Sequence, residues 1–81
     1  MRAKIRQYSA GAWRTVAVST EPLQGKLEGE STEPFDFDRW AESLPPVLVA
    51  GKSTRFLEDP ECWATQMARM NYPRITAQVL S

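Results

Sequence analysis

The 81-residue sequence has no histidine, one cysteine and no net charge, since ten Lys and Arg residues balance ten Asp and Glu residues. These absences exclude a Cys/His zinc site, a His-dependent catalytic triad and an intramolecular disulfide. No apolar run approaches the ~20 residues that cross a bilayer, and no apolar signal core follows the basic start. We therefore expect a cytoplasmic protein with no membrane association.

Residues 1–20 predict a β-hairpin around the turn Ala10-Gly11. When the paired positions sum to 21, Ile5 faces Val16, one hairpin face is apolar, and the other carries cations and aromatic rings. The same acid-free segment has the composition of a mitochondrial presequence, but its β-branched run disfavours the amphipathic helix that a presequence forms.

Residues 21–34 are mostly Glu, Gly, Ser, Thr and Pro, which predicts an exposed acidic loop. Such a loop is long for so small a domain. It is therefore either functional, mobile, or the location of a short third strand near Gly25–Glu28, and the sequence leaves these alternatives open.

Residues 35–81 predict the order helix, strand, helix, strand. The first helix runs from its N-cap Asp36 to Leu44, and the apolar run Val47–Ala50 is typical of a short buried strand. The second helix has Asp59 as its N-cap, Pro60 at its first position, Trp63, Ala64, Met67 and Met70 as its apolar stripe, and Asn71 as a left-handed end residue. Alternation over Arg74–Leu80 predicts the last strand.

The element order is thus ββαβαβ in one domain spanning residues 1–81. This order predicts an α+β fold in which two helices pack on one face of a mainly antiparallel sheet of about four strands. A domain of this size buries only about 60% of the surface that its unfolded chain exposes, so the core should be thin.

Three features have the residue types of a chemical site. Gly51-Lys52-Ser53-Thr54 is similar to the end of a phosphate-binding P-loop, but Pro46 stands where a P-loop has its first glycine, which favours a polar turn. The carboxylates at 36–42 and 58–61 are of the ligand type that divalent metal ions prefer. Asp36 and Asp59, however, are explained as helix caps. Cys62 has no neighbouring base. We expect no enzymatic activity, no metal and no cofactor.

Charge is unevenly distributed along the chain. Residues 1–20 carry four basic side chains and no acid, whereas residues 21–42 contain seven acids and two bases. The two segments either pair as surface ion pairs or give the domain a dipole that orients it toward a charged partner. The acids between Glu21 and Asp38 could imitate a phosphate backbone, or they belong to a solvated loop.

Several residues are candidates for partner binding. The basic and aromatic hairpin face has the combination with which single-stranded nucleic acids are bound, and its alternative is a solvated sheet face. Tyr8, Trp13, Phe35, Tyr72 and Arg74 lie outside the two helical stripes and are residue types enriched at interfaces. The candidate partner-binding residues are Arg2, Lys4, Arg6, Tyr8, Trp13, Arg14, Glu28, Glu30 and Glu33.

In size, neutrality and lack of a catalytic motif, the chain resembles the small inhibitors carried by bacteriophages and plasmids, anti-CRISPR proteins among them. This resemblance is one of class and rests on no residue pattern. It implies a non-enzymatic docking protein, an inhibitor or an adaptor, that acts on a larger intracellular protein or nucleoprotein complex. The alternative function is single-stranded nucleic-acid binding through the N-terminal hairpin.

Overall fold

Two sheets and two helices make up the fold in the computed structural model, which describes residues 1–29 and 33–80. The elements are β1 (Arg2–Ser9), β2 (Ala12–Thr20), β3 (Leu23–Glu28), α1 (Phe37–Glu42), β4 (Val47–Val49), β5 (Lys52–Thr54), α2 (Pro60–Arg69) and β6 (Ile75–Val79). The main sheet is antiparallel, in the order β3-β2-β1-β6, and β4 and β5 form a second sheet. The predicted α+β class, with a four-stranded antiparallel sheet and two helices, is confirmed.

The first hairpin has the predicted register. Ile5 pairs with Val16, and Tyr8 pairs with Trp13. Both turn residues are left-handed, with φ of 52° at Ala10 and 80° at Gly11. This is the condition for a two-residue type I′ turn, whose twist matches that of the strands it joins.

Residues 23–28, expected within the acidic loop, instead form the edge strand β3, which pairs with β2 from Thr15 to Thr20. Gly25 obscures the strand in the sequence, because glycine interrupts the Leu23–Leu27 alternation. Its small size has a packing reason: a Cβ at Gly25 would overlap the ring of Phe37 from α1. Of the three sequence alternatives for this segment, the structure contains the strand. Glu30 and residues 31–32 lie outside the described residues.

The predicted strand at 47–50 is β4, but its partner is β5, which the sequence analysis did not anticipate. The connecting Ala50 and Gly51 have φ of 52° and 78°, nearly the values of the first hairpin turn. Lys52 therefore lies in a strand after a tight turn. The element order becomes βββαββαβ, with β4 and β5 outside the main sheet.

Both helices begin where the sequence predicts. The Asp36 carboxylate accepts a hydrogen bond from the Arg39 backbone N–H at 3.2 Å, and Asp59 accepts one from the Cys62 N–H at 3.1 Å. The end of α2 differs from the prediction. Met70, predicted within the apolar stripe, is instead the C-cap and is exposed. The left-handed residue after α2 is Arg74, with φ of 66°, and not Asn71.

The core lies between the main sheet and the helices. Trp63 is fully buried, and its indole N–H donates to the Pro45 carbonyl at 2.8 Å, while the Trp40 N–H donates to Gln7 Oε1 at 3.0 Å. Phe56 packs between the two indoles, with ring centroids 6.0 Å and 5.2 Å away. The sequence analysis did not identify Phe56, because it belongs to no periodic stripe.

Candidate binding surface on the open sheet face

The main sheet has one face covered by the helices and one open face. Side chains alternate between the two faces along each strand. In β1, Ala3 and Ile5 point to the core, whereas Arg2, Lys4 and Arg6 are exposed on the other side. The register of the other strands extends this open face across all four strands, and no described element packs on it.

Strand pairing brings residues from distant parts of the sequence onto the open face. The Tyr8 backbone N–H donates to the Arg74 carbonyl at 2.8 Å, which places Arg74 beside Tyr8 at the start of β6. On the other side of the sheet centre, Lys26 of β3 pairs with Ala17 of β2. Ala17 also pairs with Lys4, so it lies between two lysines.

Four side chains of the open face form an arginine–aromatic cluster. The rings of Tyr8 and Trp13 meet edge-to-face with centroids 5.6 Å apart. The Arg6 guanidinium lies 5.1 Å from the Trp13 ring centroid, and that of Arg74 lies 5.6 Å from Tyr8. Cation–π contacts hold each arginine over a ring, which reduces the conformational freedom that a partner would otherwise have to remove.

A groove of about 470 Å³ runs beside this cluster, along β2. Its floor includes the small side chains of Ala17 and Ser19, because β2 has no long residue there. Its walls come from the neighbouring strands: Arg2 and Lys4 from β1, and Gln24, Lys26 and Glu28 from β3. The groove therefore has cations on both sides, and an ion pair between Lys4 and Glu28 spans it from β1 to β3.

The open face is strongly basic although the chain is neutral. It carries five of the ten cationic residues, namely Arg2, Lys4, Arg6, Lys26 and Arg74. The acid that the described strands contribute is Glu28, whose carboxylate lies 3.6 Å from the Lys4 ammonium. Both side chains are exposed, so this ion pair is weak and a partner can compete with it.

The predicted binding residues divide into three groups. Arg2, Lys4, Arg6, Tyr8 and Trp13 come together on the open face. Arg14 points to the opposite side of the sheet, where it lines a cleft with Asp36 and Arg39. Glu28 borders the basic groove, Glu33 is exposed shortly before α1, and Glu30 lies outside the described residues.

Two members of the surface could not be placed on it from the sequence. Arg74 was named as an interface candidate, but its position beside Tyr8 follows from the β1–β6 register, which the sequence does not define. Lys26 reaches the face only through β3, which the sequence left as one of three alternatives for its segment. Alternation of Gln24, Lys26 and Glu28 with Leu23 and Leu27 was the available signal.

The residues considered from the sequence as a phosphate, metal or thiol site lie within turns, strands and helices of the fold. Gly51 is a turn residue, and Ser53 and Thr54 continue β5. Cys62 is half-buried in the first turn of α2. Within residues 1–29 and 33–80, no group of three His, Cys, Asp or Glu side chains is arranged to hold a metal ion.

Comparisons with known proteins give no indication of function. No protein-family model, curated protein or solved structure matches the chain. In the part of the chain that the structure describes, the helices are too short to span a bilayer. The open sheet face is thus the feature from which a function has to be inferred.

Proposed function

We propose that this protein is a non-enzymatic docking module whose open sheet face binds a negatively charged surface of a larger nucleoprotein complex. The observation that carries the proposal is the concentration of five cations and two aromatic rings on a face that no described element covers. A neutral chain gains no general attraction to polyanions, so attraction must come from this local arrangement.

The composition of the face suits specific docking. Trp, Tyr and Arg are the residues that most often dominate binding energy at interfaces. Here the Trp13 and Tyr8 rings contact each other, and each is contacted by one arginine, before any partner arrives. Preorganisation of this kind increases affinity, since fewer rotamers are lost when the partner binds.

Binding without catalysis is supported by the roles of the candidate chemical groups. Asp36 and Asp59 cap helices, and the chain has no histidine to serve as a general base. An inhibitor or adaptor of this size would act by occupying the surface of its target, which requires only shape and charge complementarity.

Charge reversal on the open face tests the proposal. In the face variant, Lys26→Glu is combined with Arg74→Glu; in the control, Lys52→Glu is combined with Arg55→Glu, two exposed positions outside the main sheet. The two variants have the same net charge. Each tagged protein is used to recover partners from cell extract, and circular dichroism melts establish that both variants are folded.

We expect the partner recovered with the parent and the control to be absent with the face variant, and salt to release it. The reason is that only the face variant loses the positive charge beside the groove. Equal recovery by folded face and control variants would contradict docking through this surface. Turnover of a phosphoester or peptide substrate by the purified protein would contradict a non-enzymatic function.

A further inference from the structure

We propose that the groove along β2 binds a single-stranded nucleic-acid segment, with its phosphates between the two cationic walls and one base stacked on Trp13. This inference rests on the docking function proposed above and names the chemical class that the open face recognises.

The groove has the shape of a site for an extended chain. Trp13, Ala17 and Ser19 point to the same side of β2, and at about 3.3 Å per residue the distance from Trp13 to Ser19 is ~20 Å. The groove floor is made of the small side chains of Ala17 and Ser19, and Thr15 continues the same side of β2 toward Trp13. A flexible strand can follow such a floor, whereas a rigid duplex would rest on the walls.

The charges lie where a phosphate backbone would need them. Arg2 and Lys4 line one side of the groove and Lys26 the other. Lys4 already binds a carboxylate oxygen of Glu28 at 3.6 Å, which shows that its ammonium reaches an anion at this position. Non-sequence-specific binders of single strands combine such a positively charged groove with aromatic rings.

Trp13 provides the ring. It is 48% exposed even though Arg6 lies over its indole and the Tyr8 ring meets it at a steep angle. An unpaired base can stack on this exposed surface, whereas the bases of a duplex are already stacked on one another. An acidic protein segment would use the cations of the groove but would leave the indole without a matching group.

Fluorescence anisotropy with the full-length chain tests this inference. The probe is a labelled oligothymidylate or oligouridylate of about 10 nucleotides, within the ~4–16 nucleotides that single-strand sites usually cover. An unlabelled duplex of equal length and polyglutamate serve as competitors. With three to five phosphate contacts, the logarithm of the binding constant should fall with the logarithm of salt with a slope of roughly −2 to −3.5.

Two pairs of variants separate stacking and shape from charge. Trp13→Ala should weaken binding by about 5- to 150-fold, and Trp13→Phe should recover most of the affinity because it keeps a ring. Ala17→Leu should also weaken binding, because it fills the groove floor without changing charge. Gln78→Leu adds the same side chain to the same face beside Lys4 but does not line the groove, so it should bind like the parent.

Three results would overturn the inference: no binding of either strand, unchanged affinity in a folded Trp13→Ala variant, or equal competition by single strand, duplex and polyglutamate. If Ala17→Leu fails to fold, Lys26→Gln with Arg74→Gln replaces it, against Lys52→Gln with Arg55→Gln. A parent protein that binds no strand, yet recovers its partner only when the face is intact, refutes the nucleic-acid ligand and leaves the docking function standing.

Discussion

At the scale of single residues, Trp63 and Trp13 show how the two sides of the sheet differ. Trp63 is fully buried, its ring packs on Phe56, and its N–H has a carbonyl partner. Trp13 is half exposed on the opposite side, where its ring contacts Tyr8 and Arg6 of the open face. The sequence analysis assigned Trp63 and Met67 to the core, and both are buried.

We expect Trp63→Ala to cost about 3–5 kcal/mol of the free energy of unfolding, because it leaves a large cavity and an unpaired carbonyl. A domain of this size has only ~5 kcal/mol in total, so the variant should be largely unfolded. Trp13→Ala should cost no more than ~1.5 kcal/mol, the value of an aromatic pair. Circular dichroism melts measure both variants. A Trp63→Ala protein that melts like the parent would contradict this core.

At the scale of elements, the β1–β2 and β4–β5 hairpins have the same type of turn. Ala-Gly occupies both central positions in each, and all four residues have positive φ. Alanine is poorly suited to this conformation, because its Cβ approaches the following carbonyl oxygen and costs roughly 1–2 kcal/mol. Asparagine adopts it more readily, and Asn-Gly is the preferred type I′ pair.

Ala10→Asn should therefore stabilise the protein by about 0.5–1 kcal/mol, and Ala50→Asn should have the same sign. Ala12→Asn places the same side chain just beyond the turn, in β2, where asparagine is disfavoured. Urea unfolding measures all three variants. The turn assignment would be wrong if Ala10→Asn were no more stable than Ala12→Asn.

The same turn occurs in both hairpins, yet only the first hairpin was predicted from the sequence. Local signals defined the first hairpin with its register and the two helix starts at Asp36 and Asp59, because each depends on residues close in sequence. The same Ala-Gly signal at 50–51 could have revealed β5, but the Lys-Ser-Thr that follows is polar and short. β3 remained one of three alternatives because its alternation passes through Gly25, and the reason for a glycine there is the ring of Phe37 from another element.

At the scale of the whole molecule, a neutral chain folds with half of its cations on one face. The predicted hairpin contains Arg2, Lys4, Arg6, Tyr8 and Trp13, so five of the seven residues of the candidate surface could be predicted from sequence. Arg74 and Lys26 could not, because their positions depend on pairings between strands far apart in the chain. The fold therefore separates positive from negative charge more strongly than the distribution of charge along the sequence indicates.

The acidic residue on this face distinguishes the two electrostatic hypotheses for the protein. If the acids between Glu21 and Asp38 imitate phosphates, neutralising Glu28 removes part of the attractive charge and should slow association. If the open face binds an anion, Glu28 opposes binding and occupies Lys4, so neutralising it should speed association. The sign of one rate change thus separates the hypotheses.

We expect Glu28→Gln to raise the association rate with the anionic partner or strand at low salt. The gain should be about twofold for each partner charge ~10 Å away, because removing one unit charge at that distance in water changes the interaction energy by ~0.4 kcal/mol. The gain should shrink as salt shortens the Debye length. Glu61→Gln, an exposed position on α2, gives the same net charge and should leave the rate near that of the parent. Stopped-flow measurements at two salt concentrations decide the matter. Slower association in Glu28→Gln alone would favour the phosphate-imitating acidic segment over the basic face.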